Sequence, residues 1–519
     1  MMSLAQAFFF VPIVLVGYLT LKTIYRLYLH PLSRYPGPKL AASTHLVEHY
    51  HELFNGPGGQ FSQQYRQWHD TYGPIVRITP NELHIRDATF YETLYSPARP
   101  VRKVKNFGYR FNNEHTAFGA EDHALWKERR RQLDPFFSRK RIGNYVPNMQ
   151  MKMNLLMKRL GQEYVGKVLS VTRMWECFAA DNVVSFAFDR HYDFLKSPGF
   201  VSDVNEAVAN MTGLTHWMSF DAVAVVVRSL PVGLVVRLVP GLRPVFEFWE
   251  AQEKQIKEVL DNYANGEKMG DTLFSSLLEN GLADREKHLI FERLQSEAKS
   301  IVGAGSETTA RSLSLATFHI LDQPDIHQRL REELTNAIPD ATVMPNWNQL
   351  SQLPYLSACI EETLRLSYGV SERRARAYDG GALLYRDGKQ EWAIPPGTFV
   401  SMDNYDVSHD ESIFPDSFSY IPERWLGNPK APDGKLLNRY MVAFGKGARS
   451  CVGLQLAYAQ LYGGLANFFR SELSERAEIH ESSKADLEMA MCMFVPRPEP
   501  GTKGVRVLLH GKAQTVDKE

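Results

Sequence analysis

A mainly α-helical domain with small β-sheets, preceded by one N-terminal transmembrane helix, is the fold class this 519-residue sequence predicts. Three observations lead there. Helical periodicity dominates the chain, only short β-like runs interrupt it, and the chain opens on an apolar stretch without a charge. With 44% hydrophobic and 12% aromatic residues it can bury a large core. Lys+Arg and Asp+Glu both number 59, so the formal net charge is zero. With no basic excess and no long single-sign block, nucleic acid is not an expected partner.

The first element is Leu4 to Leu21, LAQAFFFVPIVLVGYLTL. As a helix it spans roughly 27 Å, near the hydrocarbon thickness of an endoplasmic-reticulum bilayer. No Lys or Arg precedes it, no A-x-A site follows, and Lys22, Arg26 and Arg34 come after it. Residues 1–21 therefore read as an uncleaved single-pass anchor, not a cleaved signal peptide. The flanking positive charge places the rest of the chain in the cytosol, on the endoplasmic-reticulum membrane. Residues 22–40, ending in HPLSRYPGPKL, form a basic, proline-rich linker, and 41–519 form the globular domain.

Short strands are expected within Pro74–Arg86, Gly397–Met402 and Gly504–His510. The best helices are Asp122–Leu133, Glu286–Leu321, Gln349–Ser367 and Val452–Phe469. Asp322-Gln323-Pro324 ends the second of these, because a residue before proline is pushed out of the α region. A second apolar stretch, residues 221–242, carries Arg228 and Arg237 and is broken at Pro231 and Pro240. Each central arginine costs about 2.5–3.5 kcal/mol on insertion, so no second span is expected. A core segment and an interfacial membrane contact both remain open for it.

The four cysteines, Cys177, Cys359, Cys451 and Cys492, form no C-x-x-C pair, so neither a zinc ribbon nor a disulfide framework is expected. Cys451 stands in FGKGARSCVG (Phe444–Gly453), with Gly445, Gly447 and Gly453 around it and a helix just after. Glycines permit positive φ and close approach of another group. A sulfur at a helix N-terminus is favoured as thiolate, which suits an axial haem ligand.

Those ten residues resemble the haem-binding signature of the cytochrome P450 superfamily, F-x-x-G-x-R-x-C-x-G, with every fixed position filled. The resemblance implies the cytochrome P450 fold and haem b, with Cys451 as the axial iron ligand. Phe444, Gly445 and Gly453 then belong to the cofactor loop, and Arg449 to a haem propionate. HALWKERRR (His123–Arg131) matches the W-x-x-x-R helix, with Arg130 reaching a propionate and Trp126 beside it. Lys127 and Arg131 lie on another face and read either as a solvated stripe or as a docking site for an acidic redox partner. Arg376 falls where the family often places a propionate arginine, although the usual preceding proline is Ala375 here. Glu362 and Arg365 match E-x-x-R, and PERW (Pro422–Trp425) brings Arg424 into a buried structural network with them.

IVGAGSETTAR (Ile301–Arg311) puts two glycines, two threonines and a carboxylate inside a helix, where glycine costs roughly 1 kcal/mol relative to alanine. It resembles the family's A/G-G-x-D/E-T-T/S, on the helix that crosses the haem. By that resemblance Thr308 and Glu307 are the catalytic pair for O2 activation. Family likeness also places substrate-pocket walls near 107–118, 302–308, 368–372 and 489–494, including Phe118, Val302, Ala304, Val370, Met491 and Met493.

The whole reading is a haem-thiolate monooxygenase, similar to fungal secondary-metabolism and trichodiene-oxygenase-like members. It would use O2 and NADPH-derived electrons to hydroxylate or epoxidise an apolar terpenoid, polyketide or alkaloid. GAGSET lacks the third glycine of a dinucleotide fingerprint and follows no strand, so electrons come from another protein. NADPH–cytochrome P450 reductase is the implied partner, with cytochrome b5 left open as a second, and membrane lipid as the surface. Two other readings stand beside it: a haem-thiolate isomerase or dehydratase needing no reductase, and a non-enzymatic membrane-tethered binding protein. The Glu307–Thr308 pair speaks against the first, and the complete Cys451 loop against the second.

Overall fold

A computed structural model of the protein describes residues 4–511, except 106, 203–204, 207–212, 214–215, 283–285, 342 and 344, and gives backbone alone for 4–11, 222 and 287. Its principal helices are α1 (Leu4–Ile24), α2 (Phe61–Tyr72), α3 (His123–Leu133), α4 (Arg139–Arg159), α5 (Val171–Phe188), α6 (Asp221–Ser229), α7 (Val232–Leu238), α8 (Arg243–Ala264), α9 (Ile290–Asp322), α10 (Pro324–Ala337), α11 (Pro354–Ser367) and α12 (Leu454–Arg470). The strands are β1 (Ile75–Thr79), β2 (Glu82–Ile85), β3 (Val101–Arg102), β4 (Val168–Ser170), β5 (Arg376–Tyr378), β6 (Leu383–Arg386), β7 (Glu391–Ile394), β8 (Phe399–Ser401), β9 (Ala477–Ile479), β10 (Met491–Met493), β11 (Val495–Arg497) and β12 (Arg506–Leu509). The mainly helical class with small sheets is what the sequence predicts.

The chain forms two compact units, one of residues 1–104 with 372–407 and the other of 105–371 with 408–519. The first holds a five-stranded sheet in the order β1-β2-β8-β5-β3. β2 and β8 run parallel, pairing Glu82 with Phe399 and His84 with Ser401, and the other neighbours are antiparallel. α2 covers β1, so that Phe61 and Tyr65 bury against Val76 and Ile78. β6 and β7 form a separate hairpin.

α1 is helical over the expected range and through Pro12, and its described apolar side chains from Ile13 to Leu21 are exposed. Among the described residues no helix is long and apolar enough to cross a membrane. The first half of the predicted anchor, residues 1–11, lies outside the described side chains.

The second unit is built around α9. α5 packs along it, with Trp175 Nε1 donating to Thr317 Oγ1 at 3.0 Å, and α12 packs on it at Gly464, where a Cβ would stand 3.0 Å from Leu313. α4 and α11 complete the same apolar core. Strands β4-β12-β9 form one small sheet and β10-β11 a hairpin.

Two predicted boundaries shift. The helix expected over 349–367 is interrupted, because Pro354 lacks an N–H and holds Leu353 extended at φ −77°, ψ 113°. A short helix, Trp347–Leu350, precedes α11. The long helix starts at Ile290, not Glu286, after a tighter turn over Lys287–Leu289. Residues 221–242 break at Pro231 as expected, into α6 and α7, and Val225, Val226, Val232, Leu234 and Leu238 are exposed on them. Arg228 does not extend outward: it pairs with Glu114 at 2.8 Å and lies 3.8 Å over the Tyr109 ring.

Candidate active site

Cys451 sits between a glycine turn and the start of α12. Gly445 and Gly447 take φ of 68° and 72°, a region open to glycine at no steric cost. Gly445 N donates to Val442 O at 2.7 Å, and Cys451 N to Phe444 O at 2.9 Å, closing the loop on itself. Gly453 precedes the first turn of α12, whose dipole favours a thiolate nearby. Cys451 is exposed while Cys177, Cys359 and Cys492 are buried, and no disulfide joins any of the four. Burial pushes the Cys177 thiol up to about 12 and raises Cys359 as well, so neither is a ready nucleophile. Behind the loop the Phe444 ring packs on Tyr458 at 5.3 Å, and Tyr458 donates to Glu361 at 2.9 Å.

Two arginines staple this loop to α3. Asp122 caps the helix, its Oδ1 accepting from Ala124 N and Leu125 N at 2.8 and 2.9 Å. Just ahead, the carbonyls of Ala120 and Glu121 accept from Arg449 at 2.6 and 2.9 Å, and the Arg449 guanidinium lies 5.3 Å from the Trp126 ring centre. In the other direction Arg130 donates to Ser450 O at 2.7 Å and to Asp134 at 2.5 Å. The structure thus brings Trp126, Arg130, Arg449 and Cys451 together. Both arginines donate to protein carbonyls here and so hold the loop. Arg376 belongs to the first unit, on β5, donating to Ala375 O at 2.9 Å; burial lowers its pKa to about 10.

α9 changes character at its centre. Ile301 and Val302 are buried and so are residues 309–310, yet between them Ala304 is exposed. A Cβ added to Gly303 would meet nothing within 4 Å, whereas one on Gly305 would lie 2.7 Å from a Val183 methyl. Thr308 Oγ1 donates to Ala304 O at 2.8 Å and Ser306 Oγ to Val302 O at 2.9 Å, back-bonds that loosen a helix. Glu307 forms a close ion pair with Arg497, at 2.7 Å, though the N–H directions miss hydrogen-bond alignment. Glu176 on α5 has its carboxyl pushed up to about 7, first by burial and then by the charge of Glu307, with Arg497 opposing.

Glu362 anchors the predicted network. Arg365 binds it through two bonds of 2.7 and 2.9 Å, and Arg424 Nε, Trp425 Nε1 and Ile421 N donate to it at 3.1, 2.9 and 2.9 Å. Arg365 also donates to the carbonyls of Ser408, Ser417 and Ser419. Burial pushes the Glu362 carboxyl upward, but the bonds and charge of Arg365, with Arg424, hold it below the ordinary range.

The pocket candidates converge in part. Phe118 lies within 5.1–5.9 Å of Phe107, Phe111 and Phe494 by ring centres. Phe494 joins β10, carrying Met491 and Met493, to β11, and its carbonyl accepts from Ser371 N at 3.0 Å, beside half-buried Val370. Val302 is buried on α9.

Arg497 and Glu176 are absent from the sequence reading. So is a buried cluster in which Arg129 pairs with Glu286 at 2.8 Å and Arg293 with Glu297, while Glu297 accepts from Ala117 N at 2.9 Å. It ties the Phe118 loop to α9. The only signal for Glu297 and Arg293 is their i, i+4 spacing, which is common on any exposed helix face.

The family description Cytochrome P450 matches residues 43–493. The chain belongs to the cytochrome P450 family. It is 41% identical over 93% of its length, and 94% of the relative's, to "Cytochrome P450 monooxygenase orf4" of Eupenicillium brefeldianum. It is 37% identical over 96% of both chains to "Cytochrome P450 monooxygenase sdnE" of Sordaria araneosa. "Tryptophan 6-hydroxylase fscE" of Fusarium equiseti is 34% identical over 94% of both. The protein is accordingly a cytochrome P450 monooxygenase of fungal type, an oxidoreductase that incorporates molecular oxygen.

A cytochrome P450 carries a thiolate-ligated haem, acts on small molecules and draws on a redox partner. The residues present fit that cofactor. Cys451 is the exposed cysteine of the four, at a helix N-terminus, and its loop is held by backbone bonds. On α9, exposed Ala304 and the open space at Gly303 leave a flat, side-chain-poor patch, which a planar ring requires.

Proposed function

We propose that this cytochrome P450 hydroxylates or epoxidises an apolar secondary metabolite of the terpenoid, polyketide or alkaloid class. Its electrons come from NADPH through a separate reductase. The observation that carries this reading is the Glu307–Thr308 pair beside the exposed, side-chain-poor stretch of α9 at Gly303 and Ala304. When bound, haem supplies the reduction of O2 that puts one oxygen atom into substrate and the other into water.

Thr308 Oγ1 now gives its proton to Ala304 O. Threonine in a helix has two accessible χ1 rotamers, so the hydroxyl can turn from the helix to the site. Glu307 is the carboxylate that would resupply the proton, acting as general acid–base. Its pairing with Arg497 is a single contact between side chains 22% and 24% exposed, so it is held less firmly than a fully buried, multiply bonded carboxylate. Phe118 and its aromatic neighbours supply an apolar wall, and Met491 and Met493 adapt to irregular shapes. Exposed Lys127 and Arg131 on α3 suit an acidic electron donor.

Residues 1–21 anchor the enzyme in the endoplasmic-reticulum membrane, and the exposed valines and leucines of α6 and α7 add an interfacial contact. Flotation on liposomes of the chain lacking residues 1–34 tests that contact; a truncated form that stays at the bottom of the gradient refutes it.

The oxidation is tested by supplying reductase, NADPH and a panel of these three scaffold classes, with products read by mass. The expected product is heavier by one oxygen atom. Turnover without NADPH or reductase refutes the reading. Cys451→Ala is expected to abolish the strongly red-shifted Soret band of the reduced carbon monoxide complex, since Arg449 and Ser450 beside it offer no soft anionic ligand.

A further inference from the structure

A convergence of unsatisfied atoms lies wholly inside the first unit. His69 and His84 are 2% and 0% exposed. His69 Nδ1 is 2.7 Å from Gly73 O, and a carbonyl only accepts, so this nitrogen carries a proton. No ion pair reaches His69 among the described residues, and burial disfavours an imidazolium. Its Nε2 is then a lone pair and accepts from His84 Nδ1 at 2.7 Å. That leaves His84 Nε2 as a lone pair too.

This nitrogen is buried with no hydrogen-bond partner among the described residues. Asp403 Oδ2 stands 3.9 Å from it, and single ligand atoms of His84, Asp403 and Asp406 all lie within 4.8 Å of one another. Asp406 Oδ2 is buried and unbonded as well. The carboxylates are fixed from behind: Tyr65 OH donates to Asp403 Oδ2 at 2.8 Å, and Arg66 binds Asp403 at 3.2 Å and Asp406 Oδ1 at 2.9 Å. Arg66 is the guanidinium bonded to both carboxylates among the described residues. A water has two protons for three facing acceptors, so a cation serves the cluster better.

We propose that His84, Asp403 and Asp406 form a structural divalent-cation site suited to Zn2+. One imidazole and two carboxylates are a donor set this ion accepts. Ligands on opposite sides of a zinc ion stand at most about 4.2 Å apart, so the His84–Asp403 separation needs no opening. The chain from Gly73 carbonyl through His69 to His84 is the outer shell that fixes a ligating tautomer. The ion would tie β2 to the segment leaving β8, at the sheet's parallel pairing of distant chain segments.

The test uses the full-length haem-loaded enzyme, treated with chelator and then titrated with Zn2+ alone. Zinc per haem iron is counted by elemental analysis, affinity by calorimetry, and thermal midpoints with and without the ion. The expected result is one zinc per chain that raises the midpoint and is lost in Asp406→Asn, a variant of unchanged shape. His69→Gln should bind about 10–100-fold more weakly, through loss of the outer shell. Equal zinc binding by wild type and Asp406→Asn overturns the site, and so does no binding at all, which would leave a shared proton holding the acceptors together. Should Asp406→Asn not fold, a wild-type midpoint that chelator leaves unmoved overturns the site equally.

Discussion

Two carboxylate–guanidinium pairs in the second unit use the same chemistry to opposite ends. Glu362 has no exposed surface, and every donor around it is fixed by helix or turn. Among the described residues Glu307 has one ion-pair partner, Arg497, and both side chains are about a quarter exposed, at 22% and 24%. A carboxylate with five converging donors cannot move without leaving arginines buried and unpaired. A carboxylate with a single, partly exposed partner can. The difference separates a group that holds the protein together from a group that can carry protons.

Removing the anchor should have the largest effect. Glu362→Ala leaves Arg365 and Arg424 without their carboxylate, which costs roughly 3–5 kcal/mol, comparable to much of a domain's stability. The expected outcome is little soluble, haem-replete protein, measured by haem absorbance per chain; a soluble but slow enzyme would erase the distinction. Acid probes the same group. Its folded pKa is depressed, so its stabilisation is present above the ordinary carboxylate range and is lost as pH falls below about 4.5.

Thr308→Ala tests the mobile side. Folding and substrate binding should persist, while product formation falls about 100-fold, the scale of a lost proton-transfer group. NADPH consumption should continue, so the quantity to measure is product per NADPH; an unchanged ratio removes Thr308 from the relay. Arg497→Met frees Glu307 and should lower stability by less than Glu362→Ala does while changing turnover. A stability loss as large as that of Glu362→Ala would show the two pairs to be alike.

Glu176 offers the most selective change, one that shows only in the dependence on pH. Its folded pKa is raised from 4.5 to about 7, so its contribution is fully present below pH 4.5 and is lost as pH rises through 7. Glu176→Gln removes that slope. The thermal midpoint of the variant relative to wild type should therefore rise between about pH 5 and pH 8; a flat difference would show that neither burial nor Glu307 shifts the Glu176 carboxyl.

Much of the site is legible in the sequence because it is local. The Cys451 loop, the Trp126–Arg130 helix, the Glu362–Arg365 step and the Glu307–Thr308 pair each lie within ten residues, where helix geometry and glycine conformation dictate neighbours. The roles of these residues, like that of Arg424, come from the family likeness, and the structure places Arg424 against Glu362 at 3.1 Å. What the sequence does not disclose is long-range pairing. Nothing near Arg497 marks it as the partner of Glu307, and nothing near Glu176 marks it as sharing their field. The loop-holding bonds of Arg130 and Arg449 were hidden for another reason: their acceptors are backbone carbonyls, which carry no residue identity. The interruption before Pro354 was legible in principle, since proline restricts the residue ahead of it, but the apolar period runs through it unbroken.

The two glycines of α9 set opposite terms for anyone engineering this enzyme to withstand heat. Alanine at either position should gain roughly 1 kcal/mol of helix propensity. At Gly303 the new methyl enters open space, so the gain is kept but the flat patch beside Ala304 acquires a bump facing whatever binds there. At Gly305 the methyl would meet Val183 at 2.7 Å, and α5 would have to give way. One glycine is a vacancy in the binding surface and the other a bearing between two helices. A consensus-style replacement that treats them alike would trade selectivity at the first and lose alignment at the second.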